Sequence, residues 1–267
     1  MEPVTPSEGW GVLHLFFHLR RDLLDDAAGA TKDFAARIDA FDSRPDYQVL
    51  AFSVLGQKAD FGLMVLGPDL AVLDSFSAEL GGAPLGQALL PAASYVSLTE
   101  TSEYTSSLED ERRRLAEEEE LEPGSAAFEE QLGAFAERMA TYAQHRLHPR
   151  LPHRRVLSFY PMSKRREGAD NWYALDFEDR KRLMAGHARV GRTYRGRVLQ
   201  LITGSIGLDD WEWGVTLLAD DVKDVRDIVY EMRFDEVSAR YGEFGPFVTG
   251  LVTTPDELFR HLGVTRG

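Results

Sequence analysis

The chain has 267 residues, 44 acidic and 30 basic side chains, a formal net charge of −14, seven histidines and no cysteine. This length can bury one large core or two moderate ones. The charge argues against a general nucleic-acid role, because a phosphate backbone would be repelled. The lack of thiols excludes disulfides, thiolate metal sites and a cysteine nucleophile.

Residues 1–10 are acidic and contain proline, with no basic n-region and no apolar signal core. The longest apolar runs, such as residues 13–17, are far too short to span a bilayer, so a soluble cytoplasmic protein is expected. Residues 11–20 alternate with the strand period: Leu13, Leu15, Phe17 and Leu19 share one face, and Val12, His14, Phe16 and His18 the other. A helical stripe of Phe34, Ile38 and Phe41 predicts a helix over 32–41. Strands are predicted over 47–55 and 60–66, a helix over 69–80 and a strand over 94–103.

The segment 108–131 holds Glu109 to Glu111, Arg112 to Arg114 and the run Glu117 to Glu120. It is too charged to pack and reads as a solvated helix or a mobile connector. Helical spacing resumes over 126–142 with Phe128, Leu132, Phe135 and Met139. The order of the first half then repeats: strand 155–161, amphipathic helix 177–190, strands 195–204 and 212–218, helix 221–231 and strand 247–253. Phe61-Gly62-Leu63-Met64-Val65-Leu66 matches Trp213-Gly214-Val215-Thr216-Leu217-Leu218 in pattern, each followed by a polar turn and a helix. Two β-α-β-β-α-β units in tandem predict a duplicated ferredoxin-like α+β architecture. The expected division is an N-terminal unit over 1–107, a connector over 108–150 and a C-terminal unit over 151–267.

The residues with chemistry to offer cluster in the second half. Tyr160-Pro161-Met162-Ser163-Lys164-Arg165-Arg166 places a phenol beside three cations, with Arg146 shortly before. Such cations read either as a solvated turn or as a site for carboxylates or phosphates. His187 shares a helix face with Leu183, Met184 and Val190, so it points towards an interior. It reads as a hydrogen-bonded core histidine or as the single axial ligand of a haem iron, since no cluster suited to zinc surrounds it. Gln200 shares its strand face with Val198 and Ile202, and a buried amide needs partners. Gly204-Ser205-Ile206-Gly207 lacks the strand–loop–helix context of a phosphate loop and reads as a hairpin turn. No Gly-x-Ser-x-Gly elbow or His-Glu-x-x-His helix supports a hydrolase.

With these residues in view, nearly the whole chain resembles the coproheme decarboxylases of the chlorite-dismutase-like haem superfamily. The resemblance is carried by Tyr160 to Arg166, Asn171-Trp172-Tyr173, the stretch from His187 to Gln200, Trp211-Glu212-Trp213-Gly214, Tyr230 to Glu236 and Ser238 to Phe247. It implies a duplicated ferredoxin-like α+β barrel, usually in a homopentameric ring. His187 would match the proximal iron ligand, Tyr160 the redox-active tyrosine that forms a tyrosyl radical, and Gln200 the distal amide. Arg146, Lys164 and Ser238 would match propionate contacts, and Met162 would lie close to the macrocycle. The implied reaction converts two propionates of iron coproporphyrin III to vinyl groups with hydrogen peroxide, giving haem b. Iron coproporphyrin III is then both substrate and cofactor. Chlorite dismutase proper carries a distal arginine, and the neutral Gln200 cannot replace it electrostatically. The rival expectation is a haem-binding or haem-delivery protein without catalysis, because fold alone does not set function.

Overall fold

In the computed structural model, which describes residues 2–264, all eight α-helices open on an aspartate, serine or threonine whose side chain accepts a backbone N–H of the first turn. In chain order the elements are β1 (Gly11–Leu19), α1 (Ala27–Asp42), β2 (Gln48–Val54), β3 (Phe61–Gly67), α2 (Leu70–Gly82) and β4 (Leu89–Thr99). Then follow α3 (Leu108–Glu117), α4 (Ala126–Leu147), β5 (Val156–Lys164), α5 (Phe177–Thr193), β6 (Val198–Gly204) and β7 (Trp213–Ala219). Last come α6 (Val222–Met232), α7 (Glu236–Tyr241), β8 (Gly242–Phe244), β9 (Val248–Val252) and α8 (Pro255–His261).

The strands pair in the order β7-β6-β4-β1-β3-β2-β9-β5-β8, and β5 also pairs with β7. That last pairing closes eight strands into a ring, with β8 attached to the outer half of β5. Each half repeats one order, its first strand lying between its third and fourth and its second strand beside the third. At both seams the fourth strand of one half meets the second strand of the other, β4 with β6 and β9 with β2. Closure removes most free edges, the usual hazard of an antiparallel sheet. Val12 and Phe16 of β1 face the interior of the ring with Leu157, Phe159, Leu201 and Leu218 from the second half.

Several boundaries differ from the sequence reading. α1 begins earlier because Asp26 caps it through Gly29 N–H, at 3.0 Å. β4 also begins earlier, pairing with β1 from Leu89 opposite Leu19, and the register shift between Phe16 and Phe17 accommodates Pro91 at a bulge. β5 continues through Pro161 to Lys164. The proline falls where the strand's neighbour changes from β9 to β8, so its missing N–H costs no ladder bond. The short elements α7, β8 and α8 lie outside the predicted elements. The charged segment after residue 107 does pack: Leu115 of α3 is fully buried with Phe128 and Leu132 of α4. Asp110 of α3 accepts a hydrogen bond from Lys181 of α5 at 2.8 Å. The acids and arginines dominate the composition, while a few apolar side chains and one ion pair dock the segment.

Candidate functional site

The outer faces of the two half-sheets are covered very differently. In the first half α1 buries six residues, and Phe34, Phe41, Phe61 and Phe76 fill the space beneath the helices together with Phe259 of α8. In the second half α5 buries only Leu183. A cleft is left between the sheet, α5 and α6. Aligning the halves by strand register shows what made the room. Tyr160 faces Val215 as Leu15 faces Leu63, Met162 faces Trp213 as Phe17 faces Phe61, and Gln200 faces Leu217 as Val49 faces Val65. The first half thus carries Leu15, Phe17 and Val49 where the second carries Tyr160, Met162 and Gln200.

Alternation along β5 puts Tyr160, Met162 and Lys164 on the wall of the cleft. His187 comes from α5, Gln200 from β6 and Ser238 from α7, with Ile202, Val229, Met232 and Phe244 as apolar lining. Of the residues matched to haem contacts, Arg146 is the one not lining the cleft. Its Nη2 donates to the carbonyl of Ile202 at 3.2 Å, and its Nε is buried with no partner among the described residues. The two arginines after Lys164 turn outward. Arg165 lies near Asp170 and Glu243, and Arg166 near Glu212, at 3.8 to 3.9 Å. The basic patch therefore contributes one cation to the cleft.

His187 Nδ1–H donates to Asp235 Oδ2 at 2.7 Å. The other carboxylate oxygen of Asp235 caps α7 through Val237 N–H at 3.0 Å, so one aspartate both starts a helix and orients the imidazole. Burial raises the Asp235 carboxyl, but the hydrogen bond and charge of His187, with Ser238 and the Val237 N–H, outweigh it and hold the group below the usual range. The pair leaves Nε2 of His187 for a ligand, the arrangement common for metal-bound histidines.

Lys164 is 8% exposed. Burial pulls its ammonium down to about 8, against the opposing charges of Asp235 and Glu212. Its Nζ sits 4.6 Å over the ring of Trp172, with no carboxylate within ion-pair distance among the described residues. A buried, unpaired cation is costly unless an anion arrives. Burial pushes the phenol of Tyr160 up to about 12, opposed by Arg233, so it stays protonated. Its ring stacks on Phe247 at 4.3 Å. Arg233 also lines the cleft, its guanidinium 3.7 Å over Phe244. Sequence reading passed over Arg233 and Asp235 as functional groups. Arg233 lies just past the predicted helix, and the visible signal for Asp235 was only its capping position before Glu236.

A larger, more open groove lies beyond Val229 and Arg233. Its walls, including Val222, Val225 and Tyr230, are apolar and gather no titratable cluster apart from Arg226 and Arg233. The chemistry is concentrated in the smaller cleft. Among the described residues no group of three or more histidines and acids could hold a bare metal ion, and no helix is long and apolar enough to cross a membrane.

The family described as Chlorite dismutase matches residues 26–253. The chain belongs to the chlorite dismutase family. A structure described as a novel heme-binding protein from Thermus thermophilus is 36% identical, with a TM-score of 0.78 and 98% of each chain covered. An arginine-to-lysine variant of chlorite dismutase from Candidatus Nitrospira defluvii is 19% identical over 96% of each chain, with a TM-score of 0.71. The same enzyme in complex with imidazole matches at 18% identity and a TM-score of 0.69, again over 96% of each chain. These two share the fold. Chlorite-dismutase-like proteins bind haem, and the residues of this cleft fit such a group: a free imidazole nitrogen backed by a carboxylate, apolar lining, and cations free to meet carboxylates.

Proposed function

We propose that the protein oxidatively decarboxylates two propionate arms of iron coproporphyrin III, with hydrogen peroxide as oxidant, to give haem b. Each arm loses carbon dioxide, a proton and two electrons as a vinyl group forms, and one peroxide takes up two electrons per arm. The observation that carries this reading is the protonated phenol of Tyr160 held in the cleft that Lys164 and Arg233 also line. A protein that only carried haem would have no use for an oxidisable phenol among carboxylate-binding cations.

His187 Nε2 would hold the iron of the porphyrin, with the imidazole oriented by Asp235. When bound, the iron porphyrin supplies the activation of peroxide. Lys164 and Arg233 hold carboxylate arms, and Ser238 adds a hydroxyl beside Asp235. Positioning decides which arm reaches Tyr160, whose Oη would give a hydrogen atom to the peroxide oxidant and recover one from the arm's β-carbon, the second electron passing to the same oxidant as carbon dioxide leaves. The apolar lining and the Phe244 and Phe247 rings keep water from the phenol. Gln200 is neutral where chlorite dismutase proper has arginine, which disfavours a chlorine oxyanion as substrate.

The description of the 36%-identical relative favours a second reading, haem binding without turnover. Mass spectrometry of iron coproporphyrin III during peroxide titration separates the two. Stepwise loss of two carboxyl groups is expected, through a three-propionate intermediate, and Tyr160→Phe should bind the porphyrin but leave it intact. Unchanged turnover by Tyr160→Phe would remove the tyrosine from the mechanism, and an intact porphyrin with the native chain would leave the binding role.

A further inference from the structure

α5 carries two glycines, Gly186 in its interior and Gly191 in its last turn. In a helix interior a glycine costs about 1 kcal/mol relative to alanine, so Gly186 carries that cost. At Gly186 an added β-carbon would meet nothing within 4 Å. At Gly191 it would sit 3.1 Å from Nε2 of Gln200 and 3.2 Å from the terminal methyl of Met232. Gly191 lies four residues beyond His187, one turn along the same helix face. The Gln200 amide reaches across and donates to the Gly191 carbonyl at 3.4 Å, a long bond.

We propose that Gly191 is a positioning residue that sets the width of the cleft one turn from His187, letting the Gln200 amide rest against bare helix backbone and keeping that strip clear for a planar ligand. The proposal rests on the reading of the cleft as an iron-porphyrin site. The two atoms that a methyl group would crowd are the ends of flexible side chains, so they would give by a few tenths of an ångström and the fold would survive. Gln200 and Met232 both line the cleft, however, so what they vacate at Gly191 they would take from the ligand. Stability and binding should therefore move in opposite directions.

The test compares Gly191→Ala with Gly186→Ala, reading thermal unfolding without ligand and the dissociation constant and absorption band position with iron coproporphyrin III. Both variants should unfold at the native temperature or higher. Gly186→Ala should bind as the native chain does. Gly191→Ala should bind roughly tenfold or more weakly, a loss of about 1.4 kcal/mol, and shift the band. Adding Gln200→Ala should shrink the Gly191→Ala effect, because removing the amide removes much of what the methyl displaces. Native-like binding and spectrum in Gly191→Ala would overturn the proposal. So would equal losses in the two glycine variants, no coupling to Gln200→Ala, or failure of Gly191→Ala to fold. A native chain that binds no porphyrin would overturn the reading of the cleft itself, a result distinct from any difference between variants.

Discussion

Lys164→Met should make the protein more stable and its cleft less useful. Methionine keeps the length and apolar character of the side chain while removing the charge. An exposed lysine titrates near 10.5 and this one near 8. At about 1.4 kcal/mol per pH unit, holding the ammonium in this site costs on the order of 3 kcal/mol at pH 7. Loss of the contact over Trp172 takes back about 1 kcal/mol, leaving a gain of about 2 kcal/mol for the variant. The sign follows from linkage. Between pH 8 and 10.5 the unfolded chain holds this proton more tightly than the folded protein, so the penalty is full below about 8 and fades as pH rises towards 10.5. Urea unfolding of both proteins at pH 7 and 9.5 would measure it, and the margin should shrink by about half or more at the higher pH. Porphyrin titration at pH 7 should show roughly 10- to 100-fold weaker binding, the worth of one charge-assisted hydrogen bond. A variant less stable than the native chain at pH 7, or a margin indifferent to pH, would show that Lys164 is a paired structural residue and refute the reasoning.

His14 is fully buried, one ring nitrogen meeting Thr216 Oγ1 at 2.9 Å and the other without a partner among the described residues, and burial lowers its pKa from 6.5 to about 3. The folded protein therefore resists a proton that the unfolded chain accepts, and stability should fall by up to about 1.4 kcal/mol per pH unit below 6.5. His14→Gln should flatten that slope, and parallel unfolding profiles would contradict it. Asp235→Asn keeps a capping side chain for α7 but loses the carboxylate behind His187. Iron-porphyrin ligation should weaken roughly 10- to 100-fold, seen by absorbance, with little change in unfolding. Titration with iron porphyrin should end at one equivalent per chain, because Leu15, Phe17 and Val49 occupy the counterpart of the cleft in the first half. A second equivalent of similar affinity would refute that.

Much of this molecule was legible from the order of its residues. Alternation and helical spacing gave the order of the main elements, and the Phe61 and Trp213 repeats exposed the duplication, because these patterns are set by local geometry. Gln200 and His187 stood out as polar side chains on apolar faces. Less legible were features that depend on distant parts of the chain. The charged segment after residue 107 packs through Leu115, Phe128 and the Asp110–Lys181 pair, which no local window reveals. The three cations after Tyr160 looked alike in sequence, yet strand alternation and nearby acids leave only Lys164 in the cleft.

The sequence by itself therefore determined the kinds of element, their repeat and the chemical types available, since each residue's pattern with its near neighbours decides these. Tertiary structure alone decided that the ring closes through β5 and β7, that Asp235 stands behind His187, and that Arg233 shares the cleft with Tyr160. It also decided that one half is plugged with aromatic side chains while the other stays open. Those outcomes turn on packing between residues far apart in the chain, where volume and charge must be satisfied together.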